Sequence, residues 1–244
     1  MLVLLARWML GTLLVSWRYL WTTTPLHREE AAGGDETDLP PRIPDELLDD
    51  AVQLAASGVG PMFHRRFWVN IADSQQAPDE LLSAVIGSFH RFVPREVVGV
   101  RREGAGPLRL GEELVVEMPG PWDGPVRVVQ VDDGCLRLAT LHGHLEAGQV
   151  RFRAIERSEV LVFEVEAWAR CATPLVHLLY VRMRLAKEIQ FNMWVRFCLS
   201  AVKVSRGRLL DGVHVATRSV PAEALPVQRS PHPDRPDRVG ERMP

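Results

Sequence analysis

The segment Val160-Leu161-Val162-Phe163-Glu164-Val165-Glu166-Ala167-Trp168-Ala169-Arg170 is followed by Cys171-Ala172-Thr173-Pro174 and then by more than thirty residues without another Gly or Pro. Leu161, Phe163, Val165 and Ala167 fall on one side and Glu164 and Glu166 on the other, the period of two that makes a strand with one buried face. After Cys171 the period changes. Thr173 can cap a helix and Pro174 suits its first position, while Leu175, Leu178, Leu185, Ile189, Met193, Phe197 and Ala201 recur at intervals of three, four or their sums. The spacing predicts a long amphipathic helix, to about Val204, whose apolar stripe covers the sheet. Its polar side is basic, with Arg182, Arg184, Lys187, Arg196, Lys203, Arg206 and Arg208 near or on it against Glu188. That side reads either as a solvated face with cations at the helix C-terminus or as a contact for anionic lipid.

Upstream lies the partner strand, residues 149–156, where Val150, Phe152 and Ala154 face one way and Arg151 and Arg153 the other. Outward arginines can pair with the outward glutamates of the next strand, each pair contributing roughly 0.2 to 1 kcal/mol, which leaves one face of the sheet wet and the other covered. Further strands are expected at 97–102, 108–118, 126–131 and 135–141, separated by Gly-Pro, Asp-Asp-Gly, Ala-Gly and Arg-Ser breaks that suit hairpins. Before them, residues 63–71 alternate, with Phe63, Phe67, Val69 and Ile71 opposite His64, Arg66, Trp68 and Asn70. Pro78-Asp79-Glu80 then opens a helix with Leu81, Leu82, Val85, Ile86 and Phe89 on its apolar face. The order is strand, helix, an antiparallel meander, long helix.

Specific motifs accompany that order: Met118-Pro119-Gly120-Pro121-Trp122-Asp123-Gly124-Pro125-Val126, Leu138-Ala139-Thr140-Leu141-His142-Gly143-His144-Leu145-Glu146-Ala147-Gly148, and Arg184-Leu185-Ala186-Lys187-Glu188-Ile189-Gln190. With the run from Trp17 to Arg28, they resemble a bacterial family of unknown function within the START-like superfamily, the SRPBCC or helix-grip proteins that include polyketide cyclases and lipid-transfer domains. The resemblance implies an α+β helix-grip fold, a curved antiparallel sheet wrapped around the long C-terminal helix with a cavity between them. It transfers no catalytic residue.

The flanks have different compositions. Residues 1–21 are almost wholly apolar or aromatic, hold three of the seven tryptophans (Trp8, Trp17, Trp21) and carry Arg7 and Arg18, which project within about 20° of each other on a helix. Such a segment spans a membrane, lies in its headgroup plane, or docks on protein. It lacks the basic start and small-residue cleavage site of a signal peptide. Residues 28–50 contain nine acids against two arginines among Gly and Pro. We read residues 1–27 as an apolar helix, 28–57 as an acidic linker with a short helix near Pro44-Asp45-Glu46, 58–205 as the START-like domain, and 206–244, with six prolines, as a disordered tail.

With 31 acidic and 29 basic side chains the 244-residue chain has a formal charge of -2, which argues against a nucleic-acid partner. Cys135, Cys171 and Cys198 show no CxxC spacing and fit a reducing, cytoplasmic setting with membrane association through residues 1–21. No Gly-rich phosphate loop, GxSxG or HExxH occurs, so no cofactor or metal is expected.

A cavity between sheet and helix would be lined by Arg65, Phe67, Val69, Glu112, Leu114, Val128, Gln130, Phe152, Phe163, Leu185, Ile189 and Met193, with Trp122, His142, His144 and Glu146 at its rim. Arg65, Glu112 and Gln130 are polar residues at inward parity, and Arg65 and Glu112 could neutralise each other. His142, His144 and Glu146 would share a face on a continuing strand, but Gly143 and Ala147-Gly148 favour a turn in which His144 and Glu146 bond the backbone. The expected function is binding of a small hydrophobic or amphipathic molecule, at the membrane surface. The alternatives are a cyclase- or dehydratase-type enzyme using the same cavity, or a protein-interaction module. Oligomeric state is left open.

Overall fold

A computed structural model of the chain describes residues 24–33, 35–94, 98–117, 123–174, 185–226 and 228. The described strands are β1 (Leu26–Ala32), β2 (Val59–Ala72), β3 (Gly99–Arg102), β4 (Glu113–Glu117), β5 (Asp123–Asp132), β6 (Cys135–Thr140), β7 (Glu146–Arg157), β8 (Val160–Cys171) and β9 (Arg208–Val220), with helices α1 (Pro78–Gly87) and α2 (Leu185–Ser205). They form one sheet in the order β1-β9-β2-β8-β7-β6-β5-β4-β3. The meander β3 to β8 is antiparallel, and only the β1–β9 contact is parallel. The expected α+β class, with an antiparallel sheet gripping the C-terminal helix, is the one observed.

Alternation along the strands sets the register. Arg151 stands opposite Glu166 and Arg153 opposite Glu164 on the outer face, which leaves Val150, Phe152 and Ala154 beside Ala167, Val165 and Phe163 on the inner face. Helix α2 lays Phe197 onto that inner face, its ring 4.8 Å from Phe152 and 5.3 Å from Phe92. Helix α1 contributes Leu81, Leu82 and Val85 to the same cluster. Pro78 occupies its first turn, and the Glu80 carboxylate accepts the Ala77 backbone N–H at 2.9 Å, satisfying a donor that the helix itself cannot.

The structure corrects the reading of both flanks. Residues 208–220, assigned above to a disordered tail, form β9, which pairs antiparallel with β2 and parallel with β1. Prolines after Val220 and the break at Gly212, which has a positive φ of 103°, hide a strand whose partners are far away in sequence. Arg208 accordingly belongs to a strand and not to the basic helix face. The acidic linker is ordered as well: β1 is followed by 3-10 turns at Glu36–Asp38, Asp45–Leu47 and Ala55–Ser57 that run over the outer face.

That strap covers part of the outer face, which is therefore not wholly wet. Ile43, Leu48 and Val52 pack on Val129, Ala139 and Leu141, and Ala55 joins Met62, Trp168, Val220 and Leu225. Burial of each large aliphatic side chain contributes roughly 1.5 to 3 kcal/mol. Arginines of the sheet complete the strap's backbone hydrogen bonding: Arg137 donates to the carbonyls of Pro41 and Arg42, each at 3.1 Å, and Arg127 to that of Leu47 at 3.1 Å. Beneath it Glu164 and Glu166 are 2% and 4% exposed, so the cross-strand pairs expected at a surface have buried carboxylates and half-buried arginines.

Candidate functional site

Strands β2, β8 and β7, with β9 beside them, form the floor of the inner face as a series of rungs. The first two are bulky: Val213, Val69, Phe163 and Ala154, then Val215, Phe67, Val165 and Phe152. The next two are Thr217, Arg65, Ala167 and Val150, then Ser219, Phe63, Ala169 and Gly148, and the strands end at Cys171 opposite Glu146. Side-chain volume therefore falls and polarity rises within one sheet face. The described contacts of α2 fall on the bulky rungs, through Phe197 to Phe152 and Phe163 and through Phe191 to Phe67.

Gly148 is fixed by backbone geometry. Its φ is +154°, and a Cβ there would meet the Trp168 carbonyl oxygen at 1.9 Å, so no larger residue fits. Arg65 is 7% exposed, its guanidinium 5.0 Å from the centre of the Phe63 ring. Glu146 is also buried, and its backbone N–H donates to Nδ1 of His144 at 2.9 Å while its carbonyl accepts from Gln53 of the strap at 2.8 Å. Burial holds the His144 imidazole below its ordinary pKa, consistent with a neutral ring that accepts at Nδ1. Burial, helped by the Glu146 carboxylate and opposed by Arg65 and Arg170, pushes the Cys171 thiol up to about 11. Cys171 is thus a protonated thiol, an unactivated group at neutral pH.

Of the residues singled out from sequence, Phe67, Val69, Leu114, Val128, Phe152, Phe163 and Met193 come together in one buried apolar cluster. Arg65 and Glu146 share the polar end of the face. Glu112 does not meet Arg65: it binds Arg102 at 2.6 Å in the turn before β4, which starts at Glu113 and not at residue 108. Gln130 is not inward either. A register shift between Val128 and Gln130 puts it opposite Arg137 on the outer side, where its amide donates to Asp132 at 2.7 Å. His142 is exposed, and β6 ends at Thr140 before the turn, so His142, His144 and Glu146 share no strand face. Among the described residues no group of His, Cys, Asp or Glu could hold a metal ion. Trp122 lies outside the described residues, as do the side chains of Leu185 and Ile189. Ala167, Ala169 and Gly148 were not singled out, although they are small residues at inward positions on adjacent strands.

The outer face holds a second polar constellation. His64 places Nδ1 at 2.9 Å from Asp38 of the strap and Nε2 at 2.7 Å from Glu166, and its ring stacks 5.2 Å from Trp168. Glu166 also binds Arg151, and Glu164 lies between Arg66, at 2.5 Å, and Arg153. Burial alone would raise both glutamates, but His64 with Arg151 for Glu166, and Arg153 with Arg66 for Glu164, more than offset it and hold them below the ordinary carboxyl range. Each carboxylate is thus satisfied within the fold, and the network ties strap to sheet. An open cleft of about 380 Å³ beside it is lined by Gly33, Asp35, Asp38, Arg218 and Pro221, and its acid and base walls face each other, Arg218 Nε lying 3.6 Å from Asp38.

The model of a family described as a domain of unknown function, DUF1990, matches residues 62–200. No curated protein matches the chain. Solved structures of similar form include major latex-like protein 151 of Panax ginseng, 12% identical over 55% of this chain and 99% of that one, with a TM-score of 0.38. The di-domain ARO/CYC StfQ of the steffimycin biosynthetic pathway is 12% identical, covering 60% of this chain and 51% of that one, with a TM-score of 0.45. Norcoclaurine synthase of Thalictrum flavum is 12% identical, covering 61% and 90%, with a TM-score of 0.41. Among the described residues no helix is long and apolar enough to cross a membrane, and residues 1–21 lie outside them.

Proposed function

Because the chain belongs to the DUF1990 family, whose function is unknown, we propose from its own geometry that it binds a small amphipathic molecule against the inner face of the sheet. The apolar part of the ligand lies on the small-residue floor of Gly148, Ala167 and Ala169, and its polar part reaches Arg65 and Glu146. The observation that carries this reading is the drop in side-chain volume, together with the rise in polarity, between the Phe67 and Arg65 rungs of one sheet face. A few fixed polar groups beside an apolar floor are the usual makings of a small-molecule site. The protonated Cys171 thiol and the engaged His144 ring favour binding over nucleophilic chemistry.

Native mass spectrometry of the purified chain is expected to show an adduct in the small-molecule range, removed by organic extraction. The extracted protein should then enhance the fluorescence of anilinonaphthalene sulfonate saturably. Ala167→Leu and Ala169→Leu fill the floor and are expected to weaken the probe at least tenfold, a loss on the order of 1.4 kcal/mol. Undiminished probe binding in both variants would overturn the assignment.

Association with a membrane is part of the same proposal and rests on residues 1–21, with Trp8, Trp17 and Trp21 among leucines. Fractionation of cells expressing the chain with and without those residues tests it. An unchanged distribution removes the membrane from the account.

A further inference from the structure

Strand β1 lies at one end of the sheet, and among the described residues no strand pairs with its outer side. Its inward side is fixed by the parallel contact with β9: the Val213 N–H donates to the Pro25 carbonyl at 2.9 Å, and the Gly33 N–H donates to the Ser219 carbonyl at 3.0 Å. In an extended strand the N–H and C=O of one residue point to the same side, and successive residues alternate. Residues 25, 27, 29, 31 and 33 therefore serve β9, and Leu26, Arg28, Glu30 and Ala32 present their backbone groups to the free edge. The edge is well anchored. His27 stacks on His214 at 4.7 Å and also makes a 2.7 Å hydrogen bond to the Asp211 carbonyl.

We infer that this edge pairs with the same edge of a second copy of the chain, antiparallel and with the two-fold axis at Glu29. The side-chain sequence selects this partner and this register. A two-fold at Glu29 sets Leu26 opposite Ala32 and Arg28 opposite Glu30, and the symmetry repeats both pairs. All four outward residues then exchange backbone hydrogen bonds with a counterpart. The charges on the inner-face side of the strand are opposite in sign at each contact, and the apolar residues meet at the two ends. Moving the axis to Arg28 sets Arg28 against Arg28 and Leu26 against Glu30, which removes both complementary pairs. The remaining like-charge contact, Glu29 against Glu29, is on the outer face, where both carboxylates are exposed. An edge with no neighbour among the described residues is open to pairing, and here its charges fit a copy of itself.

Sedimentation equilibrium of the full chain over a concentration series tests the pairing. The wild-type chain is expected to show a reversible monomer–dimer equilibrium. Arg28→Glu alone and Glu30→Arg alone each convert two attractive contacts into two repulsive ones and should weaken the dimer on the order of tenfold. Arg28→Glu/Glu30→Arg should restore it, because the swapped charges again meet their opposites. Glu29→Thr should strengthen it. Circular dichroism of each variant reports retention of the sheet. The inference is overturned by a chain that stays monomeric throughout, or by a dimer that neither single change weakens or that the double swap does not rescue.

Discussion

The two ends of the inner sheet face are built from the same three strands and yet are filled differently. At one end Phe67, Phe152 and Phe163 meet Phe197 and its neighbours on the helices, every one of these four rings 0% exposed. At the other the same strands present Ala167, Ala169 and Gly148, with Arg65 and Glu146 as the polar groups. The other end, where small side chains lie beside Arg65 and Glu146, carries the proposed ligand site.

The strongest way to break this comparison is to truncate the packed end. Phe197→Ala should cost about 3 to 5 kcal/mol in chemical denaturation, because five aromatic neighbours lose their common partner. A loss below about 1 kcal/mol would mean that the aromatic cluster is loosely packed and that the two ends do not differ.

The outer face gives the next largest effect. Glu166→Gln removes a carboxylate that serves His64 and Arg151 under the strap, and should destabilise by about 3 kcal/mol. Acid titrates the same feature. Because Glu164 and Glu166 are held below their ordinary value of 4.5, they bind protons more weakly folded than unfolded. Their contribution is complete above that value and is lost as the pH falls through their folded values. Urea midpoints measured from neutral pH downward should therefore fall below about pH 4.5, and less steeply in Glu166→Gln. Equal slopes would show that the buried network does not set acid stability.

Gly148→Ala sharpens the comparison from the sparse end. Its Cβ would overlap the Trp168 carbonyl, so the β7–β8 ladder must shift. We expect a loss of about 1 to 3 kcal/mol, by thermal denaturation, with reduced probe binding. A variant as stable as the parent would show that Gly148 is not held by its backbone.

Much of this was legible in the sequence because its causes are local. The apolar repeat through Met193, Phe197 and Ala201, the Pro78-Asp79-Glu80 opening and the arginine–glutamate alternation fix α2, α1 and the β7–β8 register with neighbouring residues only, while the expected helix start at Thr173-Pro174 is followed by residues 175–184, which lie outside the described residues. What was not legible is non-local. Strand β9 takes its identity from β2, some 140 residues upstream, and from β1. The strap reads as a linker because its few apolar residues, Ile43, Leu48 and Val52, show no period of their own and match hollows on β5 and β6. Gln130 was misplaced by one extra residue, since parity counting cannot detect a bulge. The small-residue floor is not legible either, because Gly148, Ala167 and Ala169 become neighbours only through the β7–β8 register. Cross-strand alignment of 148, 167 and 169 would have revealed it.

Probe binding by wild type and Ala167→Leu, measured side by side with their urea midpoints, tests the central claim most directly. The account predicts at least a tenfold weaker affinity with a stability change within about 1 kcal/mol, because in the proposed site the added methylenes take the place of ligand. Unchanged affinity, or a loss of stability as large as that of Phe197→Ala, would contradict it, since the floor would then be either irrelevant to binding or already filled.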